Sequence, residues 1–331
     1  VTRVAAVDCG TNSIRLLVAD VARRGDVARL TDVVRTMEVV RLGEGVDRTR
    51  RIDPQALDRT LAATRRYAET CERLGVERVR FVATSASRDV ENRQEFVDGV
   101  RAVLGVEPEV ISGAEEAELS FQGALSAVRG EHLLPYLVVD IGGGSTEFAL
   151  GTEHVLASRS VDVGCVRMTE RHMAGDPPTR EEVAAVGADV EAALDAVDGD
   201  VPLGRTGTLV GLAGTVTTVT ARALRLPAYD AARIDGTVLP PDAVIDAARD
   251  LLGMTRAERA AEPYMHPGRV DVIGAGALVW SVIVARVRAE VARAGRALRE
   301  VVTSEHDILD GIALALGRSE DGSRAKEGGP Q

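Results

Sequence analysis

The sequence predicts an α/β protein of two like domains, each a mixed sheet covered by helices, with a ligand cleft between them. Two observations carry this. Strand-like runs alternate with helix-like runs along most of the 331 residues, and one short pattern occurs twice. The first copy runs from Val4 to Asp20 and the second from Leu137 to Gly151. In each, an apolar run ends in an aspartate (Asp8, Asp140), a Gly/Ser/Thr turn follows, and an alternating stretch leads the chain out, which reads as a hairpin. The length fits about two domains. The pattern restarts at the second hairpin, which sets the domains at 1–127 and 128–318, and the polar, Gly-rich stretch 319–331 is expected to be a disordered tail.

After the first hairpin a mixed stretch, Val27 to Leu42, precedes a helix announced by Asp53-Pro54, with Leu57, Leu61, Ala68, Cys71 and Leu74 on one face and Gly75 as its stop. A strand from Val79 to Ala83 follows. The segment Thr84 to Asn92 then opens a helix carrying Phe96, Val100 and Val103. A strand, Glu109 to Ser112, leads into a helix from Gly113 to about Val128. Beyond the second hairpin, Thr179 and Glu182 have capping-box spacing and start a helix. Then come a strand from Thr208 to Ala213, helices to about Ala294, a strand from Arg299 to Thr303 and a last helix.

Composition narrows the chemistry. A net charge of −11 argues against general nucleic-acid binding, which neutralises phosphates with a basic surface. The only lysine is Lys326, so a P-loop, a Schiff-base lysine and a kinase strand lysine are all excluded. Cys9, Cys71 and Cys165 are scattered, which fits a reducing compartment, and Cys71 falls on an apolar helix face as a core residue. The apolar run Val272 to Ala285 is shorter than the ~20 residues a membrane span needs, so it reads as a buried helix. The first residues form a strand and not a leader, so the chain is expected in the cytoplasm, away from membranes.

Each hairpin is a candidate phosphate clamp. Glycine lets the turn N–H groups approach an anion, Ser and Thr hydroxyls add donors, and a carboxylate at the strand end can hold a metal or a water. Gly211-Leu-Ala-Gly214-Thr215 is a third such turn, placed before a helix whose free N–H groups face the cleft. The candidate phosphate-binding set is therefore Asp8, Gly10, Thr11, Asn12, Ser13 and Arg15 from the first hairpin, Gly142, Gly143, Gly144 and Ser145 from the second, Gly214 and Thr215, and the arginines Arg88 and Arg269. Arg15 occupies the place in its hairpin where the second copy carries Glu147. Asp140 and Glu147 offer hard oxygen ligands suited to Mg²⁺. Ser112 and Glu115 have capping-box spacing, so Glu115 should bond back to the Ser112 N–H and leave Glu116 to point elsewhere as a candidate general base for water. The helix N-terminus should favour its ionised form and lower its basicity. His306-Asp307 is expected to serve only the start of the last helix, and neither Ser13 nor Ser145 has a paired histidine.

Taken together, Asp8-Cys-Gly-Thr-Asn-Ser-Ile-Arg15, Thr84-Ser-Ala-Ser-Arg88-Asp-Val-Glu-Asn92, Ile111-Ser-Gly-Ala-Glu-Glu116, Asp140-Ile-Gly-Gly-Gly-Ser-Thr-Glu147 and Gly211-Leu-Ala-Gly-Thr resemble, in order across residues 3 to 315, the exopolyphosphatase and guanosine pentaphosphate phosphatase (Ppx/GppA) family. The resemblance implies two ribonuclease-H-like domains of the actin-like ATPase superfold. It implies release of terminal orthophosphate from inorganic polyphosphate, or of the corresponding phosphate from guanosine pentaphosphate, with a catalytically weak sensor of either as a further possibility. It also implies Glu116 as the water-activating base, Asp140 and Glu147 as the residues holding Mg²⁺, and a homodimer. Cys9 and Thr11 depart modestly from the usual first loop, and Asp310 stands where an arginine is common, which puts one anion contact in doubt. The likeness is to the short, two-domain members, implying a preference for short polyphosphates.

Overall fold

The computed structural model describes residues 1–318 apart from 25–26, 89, 127 and 129–131. The segment expected to be a tail, 319–331, lies outside the described residues, as does position 127 at the expected domain boundary.

The first sheet contains β1 (Thr2–Cys9), β2 (Ser13–Arg24), β3 (Val27–Val39), β4 (Arg78–Ala83) and β5 (Glu109–Val110), in the order β3-β2-β1-β4-β5. The second contains β6 (Tyr136–Ile141), β7 (Thr146–Gly151), β8 (Val155–Val161), β9 (Thr208–Leu212), β10 (Val238–Leu239) and β11 (Val301–Ser304), in the order β10-β11-β9-β6-β7-β8. The first three strands of each sheet form an antiparallel meander, and the fourth strand pairs parallel with the first. The sequence repeat is thus a repeat of topology: a ribonuclease-H-like sheet made twice, with β10 added at one edge.

Alternation in β1 shows why both faces of a sheet are covered. Ala5, Val7 and Cys9 pack with Phe81 and with Ala63, Tyr67, Phe96 and Val100 of the helices Pro54–Arg73 and Arg93–Leu104. Val4 and Ala6, on the opposite face, pack with Ile308, Leu309, Ile312 and Ala313 of the last helix, Ile308–Arg318. A strand buried on both faces reads as a continuous apolar run, as β1 does from Val4 to Val7. In the second sheet Leu137, Val139 and Ile141 face a core that includes the helices Arg180–Asp200 and Ile273–Arg293, while Val138 faces Ala117, Phe121 and Ala124 of the helix Gly113–Leu125. The two connecting helices therefore cross over: the one that follows the first sheet covers the second, and the last helix returns to cover the first. A cut by chain position near residue 127 separates the sheets but not the helices that cover them.

Several local expectations are met. Asp53 caps the Gln55 and Ala56 N–H groups, Thr179 and Glu182 form a reciprocal capping box, and Cys71 is buried. Others are corrected. The mixed stretch after the first hairpin is largely the edge strand β3, whose exposed polar residues hide its strand character; β8 and the two-residue β10 lie at the edges of the second sheet. Thr84–Asn92 holds a single short helix, Ser85–Arg88, separate from Arg93–Leu104. The buried face of Pro54–Arg73 runs through Ala56, Thr60, Ala63, Thr64, Tyr67 and Cys71, leaving Leu57 and Leu61 at its margin. Among the described residues no helix is long and apolar enough to cross a membrane.

Candidate active site

The two glycine turns are built alike. Gly10 N–H donates to the Ser13 carbonyl at 3.0 Å, and Gly142 N–H donates to the Ser145 carbonyl at 3.0 Å. In register, Asp8 stands opposite Arg15 and Asp140 opposite Glu147, so the two hairpins place their acids at equivalent strand ends. The turns meet face to face across the molecule. A Cβ on Gly143 would lie 2.8 Å from Thr11 Cβ, and one on Gly144 would lie 2.7 Å from Thr11 Oγ1, so only glycine fits. The helix Cys165–His172 braces the second turn, with Cys165 N–H on the Gly142 carbonyl and Val166 N–H on that of Gly143.

Between the turns lies a cavity of about 100 Å³. Asp8, Gly10, Thr11, Asn12, Ser13 and Arg15 line it from the first hairpin, and Asp140, Gly142, Gly143 and Ser145 from the second. Glu116 enters from the first turn of its helix, and Gly214, Thr215 and Arg269 close the third side. The Arg269 guanidinium lies on Gly214, where a Cβ would come within 2.1 Å of Cζ, and it donates to the Gly214 carbonyl. Ala213 just before it has a φ of 67°, a conformation that costs an L-residue roughly 1–2 kcal/mol and clusters at functional sites. Three candidates stand outside the lining. Gly144 faces a cavity behind the turns, Arg88 reaches in only through its 2.8 Å bond to Glu116 Oε2, and Glu147 stands opposite Asp140 in the strand register without lining the cavity.

Carboxylates dominate the electrostatics. Asp8, Glu116, Asp140 and Glu147 are each only 2–7% exposed. Burial is the largest influence on all four and raises their pKa values. For Glu116 the neighbouring Glu147 adds to this and Arg88 opposes it, leaving the carboxyl well above its ordinary range. The helix N-terminus was expected to lower the basicity of Glu116; burial beside a second carboxylate outweighs it.

Hydrogen bonds hold these groups in place. Ser120, one turn along the helix from Glu116, donates to Asp140 Oδ2 at 2.7 Å, and Ser160 donates to Glu147 Oε1 at 2.8 Å. Glu147 Oε2 is buried with no hydrogen-bond partner. Arg15 is fully engaged: it donates twice to Asp8 Oδ2, at 2.9 and 2.6 Å, and also pairs with Asp307. Its guanidinium therefore braces carboxylates in the cleft.

Asp307 is the residue the motifs did not reveal. It starts the last helix as expected, accepting the Leu309 N–H, yet its second oxygen meets Arg15. Its signal was the His306-Asp307 pair directly after a strand end. Asp310 is fully buried on His306, Arg35 and the Asp307 N–H, so it is a packing acid and not an anion contact. The capping box expected at Ser112 forms by half: Ser112 Oγ accepts the Glu115 N–H, but the Glu115 carboxylate turns to Arg80.

Among the described residues no three His, Cys, Asp or Glu side chains form a closed metal cage. The donor set nonetheless fits Mg²⁺, which takes one or two protein carboxylates and completes its shell with water and phosphate oxygens. Asp140 and Glu147 supply such a pair, with one Glu147 oxygen buried and unpartnered.

Residues 18–306 match the profile of the Ppx/GppA phosphatase family. The chain belongs to this family. It is 50% identical over 320 residues to Exopolyphosphatase 2 of Mycobacterium tuberculosis, covering 95% of this chain and 98% of that one. A crystal structure of an exopolyphosphatase-like protein superposes with a TM-score of 0.91 at 46% identity, over 96% of this chain and 99% of the other. The Ppx/GppA family member of Aquifex aeolicus superposes with a TM-score of 0.76 at 27% identity, over 96% and 99%. The family likeness thus spans both sheets and the cleft between them.

Proposed function

We propose that this member of the Ppx/GppA family is a Mg²⁺-dependent exopolyphosphatase, a phosphoanhydride hydrolase that releases the terminal orthophosphate of inorganic polyphosphate to water. The observation that carries the reading is Glu116: a buried carboxylate of raised pKa, opening into a small cavity walled by two glycine turns. Among the described residues no histidine lines that cavity, which leaves no Ser–His pair for covalent serine catalysis, and water is the nucleophile in this reading.

The turn N–H groups and the hydroxyls of Thr11 and Ser13 bind the terminal phosphoryl group. Glu116 orients a water in line with the last P–O–P bond and takes its proton as the oxygen attacks phosphorus; that bond breaks, and the shortened chain leaves with the bridging oxygen. Arg88 keeps the Glu116 carboxylate aimed at the water. Arg269, which holds no ion pair among the described residues, meets the following phosphates at the mouth. Asp140 and Glu147 would hold the Mg²⁺, whose positive charge stabilises the charge on the phosphoryl oxygens.

One observation favours a second reading. Past Gly214 and Arg269 the cleft opens into a chamber of about 430 Å³ with Met37, Tyr229, Pro263, Tyr264 and Met265 in its walls. An inorganic chain has no use for apolar walls, whereas the base of guanosine pentaphosphate does.

Phosphate release from polyphosphate of defined length, with guanosine pentaphosphate and ATP alongside, tests both. Orthophosphate should appear from polyphosphate, stop on chelation and resume with added Mg²⁺. Release from guanosine pentaphosphate alone would support the second reading, and binding of either with no release at any Mg²⁺ level would mark a sensor. Cytoplasmic residence and a homodimer belong to the same proposal.

The raised pKa of Glu116 has a kinetic consequence. A base must be ionised, and ionisation is lost as pH falls through the raised value, so kcat should decline on acidification well above the ~4.3 of a free glutamate. A profile flat down to that ordinary value would remove Glu116 as the base.

A further inference from the structure

We propose that the contact between the two glycine turns is a wall that makes the cleft blind, so that a polyphosphate can enter only end first. This rests on the exopolyphosphatase reading and supplies the reason that hydrolysis is terminal.

Thr11 and Ser85 line two cavities at once: the phosphate cavity in front and one of about 130 Å³ behind. Their hydroxyls are buried and hydrogen-bonded to each other at 3.0 Å. From the other half of the molecule Gly144 closes against both, with room for a Cβ only at 2.7 Å from Thr11 Oγ1 and 2.8 Å from Ser85 Oγ. A gap too small for one methyl group does not pass a phosphoryl group. An internal P–O–P bond can reach Glu116 only if chain runs out on both sides of it, and this side is shut.

Behind the wall Arg167 is already paired with Asp47 and Asp162, and Asp47 also with Arg171. At the front, Arg269 stands at the mouth with no ion pair among the described residues, and the larger chamber opens beyond it. The polymer therefore lies on the Arg269 side, and its last phosphate abuts Thr11 and Ser85.

The experiment compares a linear polyphosphate with the same chain esterified at both ends. The wild-type protein should release orthophosphate from the linear chain only, and the capped chain should compete poorly, with a Ki at least ~10-fold above the linear chain's KM. A capped chain that competes as strongly as the linear one, or that the wild-type protein cuts internally into chains of intermediate length, overturns the wall. Failure to release orthophosphate from linear chains would instead strike the functional reading.

Discussion

Glu116→Gln is expected to lower kcat for phosphate release by about 10²–10⁴, the usual contribution of a positioned general base, with little change in KM. The substitution keeps the shape of the side chain. The amide oxygen can still accept the bond from Arg88, and the Ser112 cap at the start of the helix is untouched. What is lost is the ability to take a proton from water. Stability should move the other way or not at all, because the buried carboxylate is held among Glu147, Asp140 and Asp8, and a neutral group relieves that repulsion. A large fall in kcat with an unchanged or raised thermal midpoint separates loss of the base from damage to the fold. A decrease within about tenfold would take the role away from Glu116.

The parts of this molecule that were legible in the sequence are those fixed by neighbours along the chain. The hairpins at Asp8 and Asp140 announce themselves through an apolar run, a carboxylate and a glycine turn within a few residues, and two facing walls of the cleft follow from them. Glu116 was legible because the capping spacing from Ser112 to Glu115 separated two adjacent glutamates, although only half of that box forms. Edge strands were not legible. β3 and β8 lie at sheet edges, and their polar residues break the apolar run that marked β1 and β6. Nor were contacts that only the tertiary fold creates. The Arg15–Asp307 pair joins residues from opposite ends of the chain, and Ser120 and Ser160 gain their roles only once their elements stand beside Asp140 and Glu147. The direction of the Glu116 shift belongs here too: a local helix-dipole argument gives the wrong sign, because burial and a second carboxylate arrive through the fold.

Gly311→Ala is expected to destabilise the protein markedly and to abolish most phosphate release, although alanine is the better helix former by about 1 kcal/mol. The reason is the crossing of the helices Gly113–Leu125 and Ile308–Arg318. A Cβ at residue 311 would lie 2.0 Å from the Leu119 carbonyl oxygen, and one at Gly123 would lie 1.8 Å from that of Asp307. Both obstacles are backbone, so no rotamer change relieves them and the helices must separate, at a cost at or above the ~1–3 kcal/mol typical of overpacking. That separation also reaches the chemistry. Glu116 is carried by the first helix, one turn before Leu119, and Asp307, which braces Arg15, sits at the start of the second. Gly187 provides the control. It lies within the helix Arg180–Asp200 with open space around the Cβ position, so Gly187→Ala should be neutral or stabilising by ~0.4–1 kcal/mol. Denaturant midpoints should therefore move in opposite directions for two chemically identical substitutions, and turnover should fall only for the one at the crossing. If Gly311→Ala unfolds at the wild-type midpoint, the crossing has slack, and the placement of Glu116 and Asp307 does not depend on it.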